Sequence, residues 1–325
     1  MLRCARRSAR EIREASSKDL DFVYVPYPAI LCCYLLAIKR RRSDAPLLVI
    51  DCFISVYDTV VEDRKLLSPS NPLAMLIRYM EKKAIQRADL VLTDTAANAS
   101  YLAQLYPQER NGLANEKSKT LNLCINEALF LRENVTASVP DSTDSNILNV
   151  LFVGSFVPLQ GVELIIEAAT LLEADNRIKF TLLGDGQTAD RVQQLIAKNK
   201  LEINWQRGWH PIEKIAEAIY AADVCLGVFG EGGKASRVLP YKIYMAMAGA
   251  KPVISIHMDH GVSPAASIPM LTLQQNTARQ LADAITGVLE SSEERLRLGR
   301  EGIARSARIH LTSSTMESIR YHADY

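Results

Sequence analysis

Short runs of apolar, often β-branched residues alternate with helical patterns along most of the chain. In the first half the strand-like runs are 21–25, 46–50, 89–93 and 119–123. The helical patterns between them are 29–42, 72–87 and 95–105. Alternation of this kind is typical of parallel sheets built from βαβ units.

A polar stretch rich in Ser, Thr, Asp and Asn, residues 132–147, predicts a linker. The alternation then resumes with strand-like runs at 148–154, 178–184, 201–205, 223–229 and 251–256. Helical patterns begin at Val162 and Thr188, cover 211–222 and 240–248, and extend alone from Thr277 to about Tyr321. The second half therefore repeats the α/β pattern and ends in helices.

These patterns predict two doubly wound, Rossmann-like α/β domains. The expected limits are 1–140 for the N-terminal domain, 141–310 for the C-terminal domain and 311–325 for a helical tail. The first domain offers four strands and the second at least five. We therefore expect the N-terminal domain to be incomplete at its start.

One apolar run, 22–38, resembles a membrane span because the basic residues 39–42 follow it. It has 17 residues, fewer than the roughly 20 that a span needs, and it contains Pro26 and Pro28. A strand, a loop and an apolar helix are the better prediction. The basic start of the chain also lacks the apolar core of a signal peptide.

Charge is unevenly distributed along a chain whose composition, 48% hydrophobic and 23% charged, is that of a globular protein. Residues 1–42 carry a net charge of +6, so the remainder carries −5 of the total of +1. A basic end of this kind suits peripheral contact with an anionic membrane, and a solvated basic surface is the alternative. We expect no nucleic-acid partner.

The six cysteines, at positions 4, 32, 33, 52, 124 and 225, form no Cys-x-x-Cys pair. Three lie within apolar runs, which indicates buried thiols in a reducing compartment rather than a disulfide framework or a zinc site. We therefore expect a cytoplasmic location. The sequence offers no further metal ligand near His257, Asp259 and His260. We therefore interpret them as polar residues of a surface loop and not as a metal site.

Three glycine-marked loops follow strands of the second domain, at 154–161, 184–186 and 229–234. Glycine allows close approach of a ligand to the backbone, and the next helix presents free N–H groups to an anion. None of the loops matches the dinucleotide or P-loop pattern, which disfavours hydride transfer and nucleotide hydrolysis.

Lys234, Arg237 and Lys242 come just before a buried apolar helix in a segment without carboxylates. Cations in such a place need a negative partner. With the three loops at the same sheet edge, they predict a site for a phosphate or diphosphate.

The order of these segments resembles GT-B glycosyltransferases of family 4. The resemblance rests on VLFVGSFVPLQGVELIIEAATLL, FTLLGDG, IYAADVCLGVFG and LPYKIYMAMAGAKPVIS in the second domain, and on VIDCFISVYDTVVEDR, ADLVLTDTAANASYL and INEALF in the first. It implies a GT-B fold and a retaining transfer of sugar from a nucleotide-sugar donor to a polysaccharide or lipid-linked acceptor. It implies no metal and no cofactor, because the nucleotide-sugar is a substrate.

The resemblance also implies roles for individual residues. The donor-binding set is Gly154, Ser155, Phe156, Gln160, Gly161, Gly184, Asp185, Gly186, Gly208, His210, Phe229, Gly230, Lys234, Arg237 and Lys242. The catalytic candidates are Asp51, Asp58, Arg237 and Lys242, with Asp63 and Arg64 on the acceptor side. A helix cap and a surface ion pair are the structural alternatives for Asp58, Asp63 and Arg64.

The chain departs from the family pattern at several positions. Ser155 and Gln160 stand where Arg and Lys are common, and Arg237 and Met245 stand where the family has two glutamates. The second of these glutamates holds the donor ribose, which methionine cannot do. A non-catalytic or truncated nucleotide-sugar-binding relative is therefore the rival hypothesis, and a nucleotide-sugar epimerase on the same fold is a third.

Trp205 and Trp209 flank a turn. Packing in the core or at the rim of the site is the first interpretation of both, and stacking on the donor base is the alternative.

Overall fold

A computed structural model describes residues 2–14, 20–26, 30–37, 46–107, 118–121, 130, 147–258 and 268–312. The chain divides into two compact units, Met1–Asn122 and Leu123–Thr312. The predicted linker lies almost entirely outside the described residues, as do Cys124, Asp259 and His260.

The first unit is an α/β unit with one parallel sheet of strand order β1-β2-β3-β4. Its elements are α1 (Leu2–Glu14), β1 (Phe22–Val25), α2 (Ile30–Ala37), β2 (Leu47–Asp51), a π-helical turn (Asp58–Asp63), α3 (Pro72–Arg87), β3 (Leu90–Thr93), α4 (Ala96–Leu105) and β4 (Ser118–Thr120). All four residues of β3 are buried. The order of the described strands does not reverse, in contrast to the second unit.

The predicted membrane-like run contains β1 and α2, as expected from its prolines. In the part of the chain that the structure describes, no helix is long and apolar enough to cross a membrane. The five described cysteines are free thiols, and all except Cys4 are buried.

A buried carboxylate on α3 organises the chain after β2. Glu81 accepts hydrogen bonds from Ser55 Oγ (2.7 Å), the Val56 amide (2.7 Å), the Tyr57 amide (3.3 Å) and the Tyr106 hydroxyl (2.5 Å). Burial raises the pKa of Glu81, and these bonds provide hydrogen-bond partners for its buried carboxylate oxygens. They also fix the start of the π-helical turn.

The second unit has a six-stranded parallel sheet of order β10-β9-β8-β5-β6-β7. Its elements are β5 (Leu148–Val153), a 3₁₀ turn (Pro158–Gln160), α5 (Val162–Leu171), β6 (Ile178–Leu183), α6 (Ala189–Asn199), β7 (Ile203–Gln206), α7 (Ile212–Ala221), β8 (Val224–Leu226), α8 (Gly233–Arg237), α9 (Tyr241–Ala248), β9 (Val253–Ile256), β10 (Leu271–Leu273), α10 (Ala278–Glu290) and α11 (Ser292–Thr312).

Most predicted elements of the second unit are confirmed within a few residues. The strand predicted over 223–229 is shorter, because the chain leaves the sheet after Leu226. The short strand β10 was not predicted, since its three residues lack the length of a typical strand signal. It adds an edge strand parallel to β9.

Candidate functional site

The candidate site lies where the strand order of the second unit reverses. β5 pairs with β6 on one side and with β8 on the other, so its carboxyl end is the topological switch point of the sheet. Ligands of open parallel sheets bind at such points, because loops to either side diverge there. The glycine-marked loops after β5, β6 and β8 all leave this edge.

A cavity of about 750 Å³ opens at this edge. Nine of the predicted donor-binding residues line it: Gly154, Ser155, Gln160, Gly184, Asp185, Gly186, Gly208, His210 and Lys242. Trp209, Tyr241 and Met245 also contribute to the wall. The volume lies in the range of small-molecule sites.

Two glycines allow the loops around this cavity to pack closely. Gly161 has φ +63°, and a Cβ there would lie 2.2 Å from the carbonyl carbon of Phe229. Gly184 has φ +141°, and its Cβ would lie 1.9 Å from the carbonyl oxygen of Gly154. Neither position accepts a side chain without movement of the neighbouring backbone.

Lys242 crosses from the first turn of α9 to the loop after β5. Its Nζ donates to Gln160 Oε1 at 2.5 Å and lies 3.8 Å from the centroid of the Phe152 ring. A Cβ on Gly154 would be 3.5 Å from the same nitrogen, which places the ammonium beside the glycine turn. A residue of α9 thus places its amine at the loop where Gln160 stands at a position for which the resemblance implies a lysine.

Burial leaves this cation without adequate compensation. Lys242 is 9% exposed, and desolvation lowers its pKa well below the ordinary lysine value. The described contacts of its Nζ, a neutral amide and an aromatic face, replace little of the lost hydration. A ligand that brings negative charge would stabilise the protonated amine.

Phe156 supports the site from beneath instead of lining it. Its buried ring stacks on Trp205, with centroids 5.1 Å apart and an interplanar angle of 11°, and meets Phe152 edge-on at 5.9 Å. The Trp205 indole donates to the Gly184 carbonyl at 3.0 Å. These contacts hold the ends of β5, β6 and β7 together, so Trp205 is a packing residue as first interpreted.

An ion pair neutralises the one carboxylate among the lining residues. Arg207 binds both oxygens of Asp185, at 3.0 and 3.1 Å, and lies 4.9 Å from the centroid of the Trp205 ring. The side-chain bond to Arg207 lowers the pKa of Asp185. The paired carboxylate opposes an incoming anion less than a free one would.

Trp209 presents its indole to solvent at the wall of the cavity. Its exposed fraction is 89%, which is high for a tryptophan. The neighbouring His210 is held by a 2.9 Å bond between Nε2 and the carbonyl oxygen of Gln206, which requires the proton on Nε2. An exposed indole beside a fixed ring offers a surface on which a planar group can stack.

The other predicted donor residues lie around the cavity but not in its wall. Gly161, Phe229 and Gly230 form the contact between two loops, where the Phe229 amide bonds Gln160 O at 3.1 Å and the Gly230 amide bonds Leu159 O at 3.0 Å. Lys234 and Arg237 lie half-buried on the short helix α8. The structure therefore brings Lys242, but not Lys234 or Arg237, into the cavity wall.

The first unit places the predicted acceptor-side residues near the end of β2. Asp51 accepts hydrogen bonds from the Tyr24 hydroxyl at 2.8 Å and from the Phe53 amide at 3.0 Å. Burial, and to a smaller extent the bond to Asp51, raises the pKa of Tyr24 to about 12. Asp58 is only 2% exposed, in the first turn of the π-helical segment. Asp63 is half-buried and Arg64 exposed at the end of that turn.

Among the described residues, no group of three or more His, Cys, Asp or Glu side chains could hold a metal ion. His257 is exposed at the end of β9.

A sequence-family comparison matches most of the second unit to a known family. Residues 148–291 match the family model for glycosyl transferases group 1. The matched segment is therefore similar to group 1 glycosyl transferases. It contains the whole cavity described above, and it agrees with the resemblance drawn from the sequence motifs. No curated protein shows significant sequence similarity to the chain.

Several solved structures share the fold of this chain. HepE from Anabaena, in complex with UDP and glucose, matches with a TM-score of 0.70 and 16% identity, over 97% of this chain and 80% of HepE. Sucrose-phosphate synthase from Thermosynechococcus elongatus gives 0.68 and 18%, over 93% and 74%. WaaG, a glycosyltransferase involved in lipopolysaccharide biosynthesis, gives 0.59 and 16%, over 85% and 74%. The predicted GT-B fold is confirmed.

Proposed function

We propose that this protein is a glycosyltransferase that transfers a sugar from a nucleotide-sugar donor to a polysaccharide or lipid-linked acceptor with retention of anomeric configuration. The observation that carries the proposal is Lys242, a buried cation in the wall of a cavity built from glycine turns. HepE was solved with UDP and UDP-glucose, which supports a nucleotide-sugar as the donor class.

The chemistry requires stabilisation of the departing nucleotide. As the bond between the anomeric carbon and the diphosphate oxygen breaks, negative charge develops on the phosphate. Protonated Lys242 would stabilise this charge, and a metal ion is not required for it. Lys234 and Arg237 are not among the residues that line the cavity, so we assign this role to Lys242 first.

In this proposal the acceptor binds to residues of the first unit. Its hydroxyl oxygen forms the new bond to the anomeric carbon and loses a proton, which Asp51 or the leaving phosphate would take. Asp63 and Arg64 are the proposed acceptor contacts. Asp58 is a weaker candidate, because its burial restricts access. We further propose a cytoplasmic enzyme in peripheral contact with the membrane, as the involvement of WaaG in lipopolysaccharide biosynthesis suggests.

The direct test is calorimetric titration of the protein with nucleoside diphosphates and nucleotide-sugars, with inorganic pyrophosphate as the probe for the phosphate site alone. We expect micromolar to millimolar binding of at least one nucleoside diphosphate. Absence of binding across all bases would contradict the donor site. NMR of the anomeric proton in the product then distinguishes retention from inversion.

Trp209→Ala should weaken nucleotide binding while leaving pyrophosphate binding unchanged. Stacking of a base on an aromatic side chain contributes about 1–3 kcal/mol, so the loss should be about fivefold to 100-fold. Trp209→Phe keeps an aromatic face and is the matched control. The only other tryptophan, Trp205, is stacked on Phe156 beneath the cavity. Quenching of indole fluorescence by the nucleotide should therefore vanish in Trp209→Ala. Equal loss for pyrophosphate would instead indicate a distorted cavity.

Binding without turnover is the rival function, and one residue favours it. Met245 is 5% exposed and lines the cavity where the family resemblance implies a glutamate for the donor ribose. If the protein binds a nucleotide-sugar but neither transfers nor hydrolyses it, Met245→Glu tests the cause. Turnover gained by this variant would show that the missing carboxylate is what prevents catalysis.

A further inference from the structure

The sheet sets the order of the loops around the cavity. β5, β6 and β7 are successive neighbours, so the turns at Gly154, Gly184 and Gly208 follow one another along the same edge. Adjacent strands lie about 4.8 Å apart, so about 10 Å separates the first turn from the third. A nucleotide that lies across these strands would place its diphosphate, its pentose and its base over successive loops.

The two ends of this row of turns differ in their chemistry. The buried cation Lys242 lies beside Gly154 at one end, and the exposed indole of Trp209 stands next to Gly208 at the other. The proposed function, on which this inference rests, assigns the diphosphate to the first end and the base to the second. The pentose then lies between them.

Two apolar side chains form the wall between these ends. Met245 follows Lys242 by three positions on α9 and is 5% exposed, while Ile215 lies near the start of α7, just after the loop that carries Trp209. α7 and α9 contact each other, and both side chains line the cavity. Because α9 comes from the phosphate end and α7 from the base end, the place where they meet faces the pentose.

This part of the wall offers little to a sugar hydroxyl. Isoleucine has no hydrogen-bonding side-chain group, and a thioether is only a weak acceptor. Among the described residues that line the cavity there is one carboxylate, Asp185, and one amide, Gln160. Asp185 already binds Arg207, and Gln160 already binds Lys242. A pentose hydroxyl beside Met245 would therefore lose its hydrogen bonds to water without gaining strong ones from the protein.

We infer that this site does not select for the 2′-hydroxyl of the pentose. It takes 2′-deoxynucleoside diphosphates, and the sugars attached to them, at least as well as the corresponding ribonucleotides. A site that bonds a substrate hydroxyl rejects the analogue that lacks it, because its own polar group is then left unpaired. The wall at Met245 has no such polar group, so removal of the 2′-hydroxyl leaves nothing unpaired in the protein.

Calorimetric titration with matched nucleotide pairs tests the inference. The probes are UDP and 2′-deoxy-UDP, together with the corresponding pairs for ADP, CDP and GDP. The members of a pair share the base, the diphosphate and the 3′-hydroxyl, so the ratio of their dissociation constants reports the 2′-hydroxyl alone. For each base that binds, we expect the deoxy form to bind from equally tightly to about tenfold more tightly.

Substitutions at Met245 test the position of the pentose. Met245→Gln and Met245→Glu each add a strong acceptor, and both should shift the ratio at least about tenfold toward the ribonucleotide. Gln does so without adding charge near Lys242. Met245→Leu keeps the wall apolar and is the matched control, in which the ratio should stay as it is. A general loss of affinity affects both members of a pair and cancels in the ratio, and circular dichroism checks that each variant is folded.

The possible failures are distinguishable. If the unaltered protein binds a ribonucleotide more than about threefold more tightly than its deoxy form, the inference is overturned and the nucleotide site stands. An unchanged ratio in folded Met245→Gln and Met245→Glu also overturns it, because the pentose then does not lie against Met245. If no nucleoside diphosphate of either kind binds, the proposed function falls and this inference falls with it.

Discussion

Lys242→Met should weaken binding of a nucleoside diphosphate by about 30-fold or more, equivalent to about 2 kcal/mol, because it removes a buried cation from the phosphate position. Methionine keeps the length and the apolar contact with Phe152 but cannot donate to Gln160 or to a phosphate. Calorimetry at constant pH measures the loss. Lys198→Met, on an exposed part of α6, is the control and should bind normally.

The same substitution should stabilise the empty protein. Lys242 has a pKa that burial lowers from its ordinary value near 10.5. Between the two values the unfolded chain binds more protons than the folded one, so the free energy of unfolding rises with pH in this interval. Lys242→Met should therefore raise Tm most below the lowered pKa, by at least about 2 °C, with the gain fading toward pH 10.5.

Ligand binding should reverse this penalty. A bound diphosphate favours protonated Lys242, so at a pH above the lowered pKa binding should take up a proton, which titration in buffers of different ionisation enthalpy detects. Lys242→Met should lack that uptake. Unchanged affinity together with unchanged proton uptake in the variant would show that the anion is held elsewhere in the cavity.

The glycine loops of the second unit could be predicted from the sequence because local patterns encode them. Apolar strands followed by Gly154, Gly184 or Gly230 place loops at one sheet edge, whatever the details of packing. The cation cluster was only partly predictable. Lys242 and Gln160 lie 82 positions apart, and only the fold shows that these two side chains meet while Lys234 and Arg237 lie outside the cavity wall.

Other features depend on tertiary packing that no local pattern contains. Glu81 looks like an ordinary helix-surface acid in sequence, yet it is buried by groups from positions 55–57 and 106. Trp205 and Trp209 are four residues apart, but one stacks on Phe156 and the other is exposed at the cavity. Leu73, Met75, Leu76 and Tyr79 of α3 are large apolar residues, and only the fold shows that they are exposed.

Gly184→Ala should destabilise the second unit by about 3 kcal/mol or more. The new Cβ would lie 1.9 Å from the Gly154 carbonyl oxygen, and the backbone has a φ of +141°, which alanine rarely adopts. Steric overlap with backbone and a strained conformation each cost about 1–3 kcal/mol. Thermal unfolding should show a Tm lower by about 6 °C or more.

Nucleotide binding should fall with this stability loss, because Gly184 connects the strands that carry the cavity. Its amide donates to the Gln206 carbonyl at 3.1 Å, and its carbonyl accepts from the Trp205 indole. Relief of the overlap must shift either this corner or the loop at Gly154. The phosphate position beside Lys242 would then move with the loop.

Substitutions at two further glycines separate the steric cause of the stability loss from the conformational cause. Gly208→Ala has a positive φ of +98° but nothing within 4 Å of its Cβ, so it should cost only the conformational strain of about 1–3 kcal/mol. Gly287→Ala lies in open space within α10 and should stabilise the protein by about 0.5–1 kcal/mol. If Gly184→Ala loses no more stability than Gly208→Ala, the close approach of Gly184 to the Gly154 loop does not constrain the fold, and the predicted shift of the phosphate position beside Lys242 is wrong.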